Sequence, residues 1–245
     1  MGSLIVLPTY QEGGNVAAVL RRIRAAVPGA HILVVDDGSP DGTAELAEAV
    51  GAEFGAIDVM RRDHKQGLGS AYRDGMRWGL ARGYDILVEM DADLSHDPAD
   101  LPRLIGAVED GAALALGSRY VAGGSIPAWS LARRILSREG NRYAGALLGL
   151  PVSDATSGFR AYRAAALAAV DLDQVRAEGY GFQIEMVYRV AALGGPVVEL
   201  PISFTERTLG HSKMSARIVI EAFALVTWWA LRDRVRGQHP PTASV

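Results

Sequence analysis

The sequence predicts an α/β fold: a single domain with a mostly parallel, Rossmann-like sheet and helices on both faces. Three observations predict it. Short runs rich in Ile, Val and Leu alternate with longer segments whose apolar residues recur every three or four positions, the pattern of strands joined by crossover helices. Polar segments follow directly on the first, second and fourth of those runs, where open parallel sheets bind ligands. At 245 residues, with 49% hydrophobic and 22% charged side chains, the chain has the length and composition of one globular core.

The elements follow in order. Strands are expected at 3–7, 31–36, 56–61, 85–90 and 113–118, each a short apolar run, with a later extended pair near 157–162 and 197–205. Helices are expected between them. The first is 15–27, where apolar residues recur at three and four positions. The second, 41–50, opens on Asp41 as an N-cap with Thr43 in its first turn. Gly67-Leu68-Gly69 lacks the third glycine of a dinucleotide fingerprint and reads as the start of a helix at 69–82. Asp97-Pro98 starts the helix at 99–109. Further helices are expected at 131–148, 182–193 and 215–234, and 237–245 reads as a polar tail after a domain of 1–236.

Composition excludes whole classes of function. Without cysteine the chain has no disulfide, thiolate metal ligand or cysteine nucleophile. A net charge of -3 supplies no general attraction to nucleic acid, so no nucleic-acid partner is expected. The first residues carry no basic segment followed by a long apolar one, so no signal peptide and a cytoplasmic location are expected. The longest uncharged apolar stretch, 222–231, is far shorter than the roughly 20 residues that span a bilayer as a helix.

Residues able to do chemistry gather after the strands. Asp36 and Asp37 end the second strand. Adjacent carboxylates repel each other, so ligand donors such as a ribose hydroxyl or a base N–H explain them better than turn geometry does. The strongest signal is Glu89-Met90-Asp91-Ala92-Asp93-Leu94-Ser95-His96. Two carboxylates there, Asp91 and Asp93, are costly without a cation, and hard oxygen donors suit Mg²⁺ or Mn²⁺ bridging a diphosphate. Basic residues gather in the second half: Arg119, then Arg133, Arg134 and Arg138 in a helix with Ser137 and Asn141, then Arg160 and Arg207. Only Lys65 and Lys213 are lysines among 25 Lys and Arg residues, and Lys213 lies in a polar loop suited to closing over phosphates. Gln183 and Glu185, at the start of a helix, read equally as sugar-binding residues or as an ordinary first turn.

PTYQE, DDGSPDGT, DADLSH, GSRYVAGG, SDATSGFRAYR and RTLGHSKMS, in this order over residues 4–215, resemble the family-two glycosyltransferases of GT-A fold. Within these the chain is similar to the dolichyl- and polyprenyl-phosphate mannose synthases, actinobacterial ones above all. The resemblance implies transfer of mannose from GDP-mannose to a polyprenyl phosphate with inversion, aided by Mg²⁺ or Mn²⁺. It assigns Pro8, Tyr10, Glu12, Val35 and Asp37 to the nucleotide, Asp91, Ala92 and Asp93 to the diphosphate and metal, and Arg207 and Lys213 to a covering loop. Arg119, Arg134 and Ser137 match contacts to the acceptor phosphate, and Ser95 stands where a metal-binding glutamine is usual. The lipid acceptor implies peripheral contact with the inner face of the cell membrane and leaves room for a membrane-protein partner.

An acceptor phosphate is anionic at pH 7 and needs no general base, so the lack of a catalytic His or Glu is no objection. A polyprenyl-phosphate glucosyltransferase using UDP-glucose would need nearly the same motifs. A nucleotidyltransferase would need a Gly-rich loop with a following lysine near the N-terminus, which is absent. A non-catalytic binding module would not need Asp93, Arg119 and Lys213 together. The helix at 215–234, with Trp228 and Trp229, fits both an in-plane interfacial helix and one packed on the sheet.

Overall fold

The computed structural model of the chain describes residues 1–206 and 216–235. Its strands are β1 (Ser3–Thr9), β2 (His31–Asp36), β3 (Ile57–Arg61), β4 (Ile86–Glu89), β5 (Leu114–Ser118), β6 (Arg160–Arg163) and β7 (Val197–Pro201). Among the described residues they form one seven-stranded sheet in the order β3-β2-β1-β4-β6-β5-β7. Only β6 runs against its neighbours, pairing antiparallel with both β4 and β5. The expected tail at 237–245 lies outside the described residues.

The helices are α1 (Val16–Ala26), α2 (Thr43–Phe54), α3 (Leu68–Ala81), α4 (Leu101–Glu109), α5 (Leu131–Leu148), α6 (Ala164–Ala169), α7 (Gly179–Ala192) and α8 (Ala216–Val235). They lie on both faces, as the two-residue alternation of the strands requires. Ile5, Leu7, Ile32 and Val34 pack with α1, α2 and α4, whereas Leu4, Val6, Leu33 and Val35 pack with α3 and the second-half helices. Two elements were not expected: α6, and the antiparallel direction of β6.

Glycine sets how closely α3 approaches the sheet. A Cβ at Gly75 would overlap Val6, and one at Gly79 would lie 2.6 Å from Leu4 and 2.7 Å from Leu87. The α2 helix continues past its expected end through Gly51 and stops at Gly55, whose φ of 68° favours glycine.

Candidate active site

The carboxyl ends of β1, β2, β4 and β5 open into one cavity of about 440 Å³. Pro8, Tyr10 and Glu12 reach it from β1, Asp37 from β2, Asp91, Ala92 and Asp93 from β4, and Arg119 from β5. Eight of the residues singled out in the sequence are thus brought together.

The loop after β1 is tied to the loop after β2. The Gln11, Glu12 and Gly13 N–H groups donate to Ser39 Oγ, Thr43 Oγ1 and Asp41 Oδ2. Asp36 accepts from Thr9 Oγ1 and from the backbone and hydroxyl of Ser39. This corrects the ligand reading of Asp36, which is a turn residue held within the protein. Asp37 differs: it accepts from Arg62 Nη1 at 2.7 Å and the Gln66 N–H at 3.1 Å while still bordering the cavity. Opposite it, Lys65 Nζ stands 4.4 Å from the centre of the Tyr10 ring. Val35 is also corrected. It is fully buried and points to the α3 side of the sheet, so it does not reach the cavity.

The loop after β4 turns on Leu94, whose φ of 62° is unusual for a side chain other than glycine. Asp93 Oδ1 accepts from the Ser95 N–H at 3.0 Å, and Asp91 Oδ1 accepts from Tyr72 Oη at 3.2 Å. Ser95 is buried and does not border the cavity; it positions Asp93 through its backbone. His96 stacks on Phe159 at 4.9 Å, and burial pushes its pKa down to about 4, so the ring is neutral at pH 7. Behind the loop, Glu89 is fully buried and burial pushes its pKa up to about 7, opposed by Arg160.

The cationic side of the cavity is built by β5 and α5. Arg119 forms a two-pronged ion pair with Asp154, at 2.7 Å from Nε and 2.6 Å from Nη2, and donates to Thr156 Oγ1 at 2.8 Å. Burial opposes the charge of Asp154, yet the Arg119 guanidinium and the hydrogen bonds together hold its carboxyl below the usual range. Arg133, one turn into α5 after the Ser130 cap, lies 3.9 Å over the Trp129 ring and borders the cavity. Arg134 points away: it is exposed and borders neither the cavity nor the hollow beside it. Arg133 therefore replaces Arg134 as the arginine facing the site, and it lies four residues from Ser137, on the same helix face. Ser137 lines a smaller hollow of about 70 Å³ that shares Trp129, Arg133, Thr156 and Tyr180 with the main cavity. Its other walls are apolar, among them Leu136, Phe223 and Val226.

Arg160 is not a surface cation. It is fully buried and donates to the carbonyls of Ser157, Ala155 and Gln183. Glu185 likewise turns inward, accepting from Arg189 and the Ala177 N–H. Gln183 does border the cavity, as do Thr156, Gly158, Glu178 and Tyr180, which sequence reasoning missed or left open. Arg207 and Lys213 lie outside the described residues.

Residues 4–170 match the family described as Glycosyl transferase family 2. The chain belongs to that family. It is 51% identical over 237 residues to an undecaprenyl-phosphate mannosyltransferase of Micrococcus luteus, covering 97% of each chain. It is 49% identical over 239 residues to a polyprenol monophosphomannose synthase of Mycolicibacterium smegmatis, covering 96% of this chain and 90% of that one. Its fold resembles that of a mannosyltransferase of Pyrobaculum calidifontis solved with GDP-Man and Mn²⁺, with a TM-score of 0.66 and 16% identity over 94% of this chain and 64% of that chain. As a family-two glycosyltransferase, the chain presents the acidic loop after β4 and the cationic wall of β5 and α5 across one shared cavity.

Proposed function

We propose that the chain transfers mannose from GDP-mannose to the phosphate of a polyprenyl phosphate, inverting the anomeric carbon. The observation that carries this is the polarity of the cavity. Asp91 and Asp93 stand on one side, Arg119 and Arg133 on another, and an apolar hollow opens beyond Arg133. The names of the relatives support the lipid acceptor and the sugar.

Tyr10, Glu12, Asp37 and Lys65 border the end where the nucleoside fits. Asp91 and Asp93 hold a divalent cation in this reading. No group of three or more His, Asp or Glu side chains suited to a metal forms among the described residues. Two carboxylates nonetheless fit Mg²⁺ or Mn²⁺, which completes its shell with water and phosphate oxygens. When bound, the cation neutralises the departing diphosphate. Arg119 and Arg133 orient the acceptor phosphate for in-line attack on the anomeric carbon, and the phosphate is itself the nucleophile. Neutral His96 is not needed as a base.

Leu131, Ile135 and Leu136 on α5 are exposed, as are Ile220, Trp228 and Leu231 on α8. Leu136 lines the hollow, and together these exposed side chains fit a peripheral lipid surface. No helix among the described residues is long and apolar enough to cross a membrane. The test is a donor screen with a short polyprenyl phosphate and Mg²⁺ or Mn²⁺, assaying lipid-linked sugar. GDP-mannose should give product and UDP-glucose should not; the reverse would establish the glucosyl alternative.

A further inference from the structure

Two arginines face the cavity, and their partners hold them in opposite ways. Arg119 is locked: Asp154, fully buried, takes Nε at 2.7 Å and Nη2 at 2.6 Å. Arg133 is held by one contact, from Nη1 to Glu206 Oε1 at 3.4 Å, and the Glu206 side chain is 56% exposed. The buried Nε of Arg133 has no hydrogen-bond partner. A single long contact at the protein surface is weak and screened by salt, so Glu206 is a partner that a stronger anion displaces.

Glu206 is nevertheless placed there by the fold, at the end of a short strap that follows β7. The Phe204 N–H donates to the Ser125 carbonyl at 2.9 Å, and the Thr205 N–H donates to the Ser95 carbonyl at 3.1 Å. Thr205 Oγ1 donates to the Leu94 carbonyl at 3.1 Å, and the Phe204 ring stands 5.5 Å from that of Trp129, over which Arg133 lies. The residues before Glu206 are thus tied both to the acidic loop after β4 and to the platform of Arg133. The strap delivers a carboxylate to the very cation that an acceptor phosphate needs.

The reaction changes the charge that Arg133 meets. A phosphate monoester carries a charge of about −1.5 to −2 at pH 7. Once one of its oxygens bonds to the anomeric carbon and GDP departs, the lipid phosphate is a diester with a single negative charge. Substrate therefore outcompetes a carboxylate for the guanidinium, whereas product meets it as an equal. The prenyl tail is untouched by transfer, so the apolar hollow holds substrate and product alike and release has to be driven at the phosphate.

We propose that Glu206 is an exchangeable counter-ion of Arg133, yielding it to the acceptor phosphate and reclaiming it from the glycosylated product. This rests on the mannosyl-transfer reading and adds to it a residue that works on product release.

Glu206→Gln keeps the shape of the side chain and removes its charge, and at an exposed position the melting temperature should hold. Binding of a short polyprenyl phosphate, and of its methyl diester as a stand-in for the product, would be measured by calorimetry without donor at low and high salt. Product inhibition of transfer from GDP-mannose would be measured alongside. The expected result is tighter binding of both ligands by about two- to fivefold at low salt, a gain that fades at high salt, and product inhibition strengthened by the same factor. On an Arg133→Ala background the Glu206→Gln change should alter none of these constants, which a merely structural role would not reproduce. Binding of either ligand that is unchanged or weaker in Glu206→Gln, or the same gain without Arg133, would overturn the exchange alone. A wild-type protein that neither binds nor glycosylates the polyprenyl phosphate would overturn the mannosyl reading with it.

Discussion

Arg119 is fixed before any substrate arrives, since Asp154, fully buried, takes both prongs of its guanidinium. Removing one partner of such a pair leaves a buried charge uncompensated, so Asp154→Asn should destabilise the protein by about 3–5 kcal/mol. The pH dependence has a definite sign. The Asp154 pKa is lower in the folded protein than its ordinary 3.8, so its stabilisation is present above that value and is lost as the pH falls through the lowered one. Thermal melts against pH should show the wild type and Asp154→Asn far apart at pH 7 and converging below pH 3.8. A gap that stayed constant to low pH would contradict the pairing. On α5, Arg133→Ala should raise the requirement for polyprenyl phosphate with little change in that for GDP-mannose, whereas Arg134→Ala should change neither. At this scale the sequence is unevenly legible. DADLSH was legible as a loop of the cavity because paired carboxylates after an apolar run have few structural uses. Asp36 and Asp37, and Arg133 and Arg134, were not separable, because adjacent residues differ only in side-chain direction, and that depends on loop partners and helix rotation.

The α8 helix packs one face on the protein and leaves the other exposed. Ala222, Val226, Trp229 and Ala230 are buried, while Ile220, Ala224, Trp228, Leu231 and Val235 follow one exposed stripe. The two tryptophans therefore part company: Trp229 stacks on Tyr188, and Trp228 is 56% exposed. Trp229→Ala should cost about 3–5 kcal/mol of stability, read as a lowered melting temperature. Trp228→Ser should leave the melting temperature near that of the wild type and reduce sedimentation with anionic liposomes. On α3, Gly75→Ala should destabilise by about 1–3 kcal/mol through overlap with Val6, checked by denaturant titration. Most elements were legible from apolar periodicity. The direction of β6 was not, because periodicity reports burial and spacing but not which neighbour a strand pairs with. The true start of α7 at Gly179 was hidden by glycines that helix propensity disfavours and that tertiary packing accommodates.

For the whole molecule, one sheet gathers the acidic loop of β4 and the cationic wall of β5 and α5 around a single cavity, with the exposed apolar faces of α5 and α8 beside it. This was foreseeable because parallel strands deliver their carboxyl ends to one edge of the sheet, whatever the loops contain. The arrangement asks for two substrates at once: an anionic donor and a lipid whose phosphate is the nucleophile. The most direct measurement is the structure of the product, by ³¹P and ¹H NMR, after wild-type protein is incubated with GDP-mannose, Mn²⁺ and a short polyprenyl phosphate. The expected product is mannose joined through its anomeric carbon to the lipid phosphate in the β configuration, with GDP released in equal amount. An α-linked product would contradict the single in-line displacement, and free mannose with unmodified lipid would contradict the acceptor site built by Arg119 and Arg133.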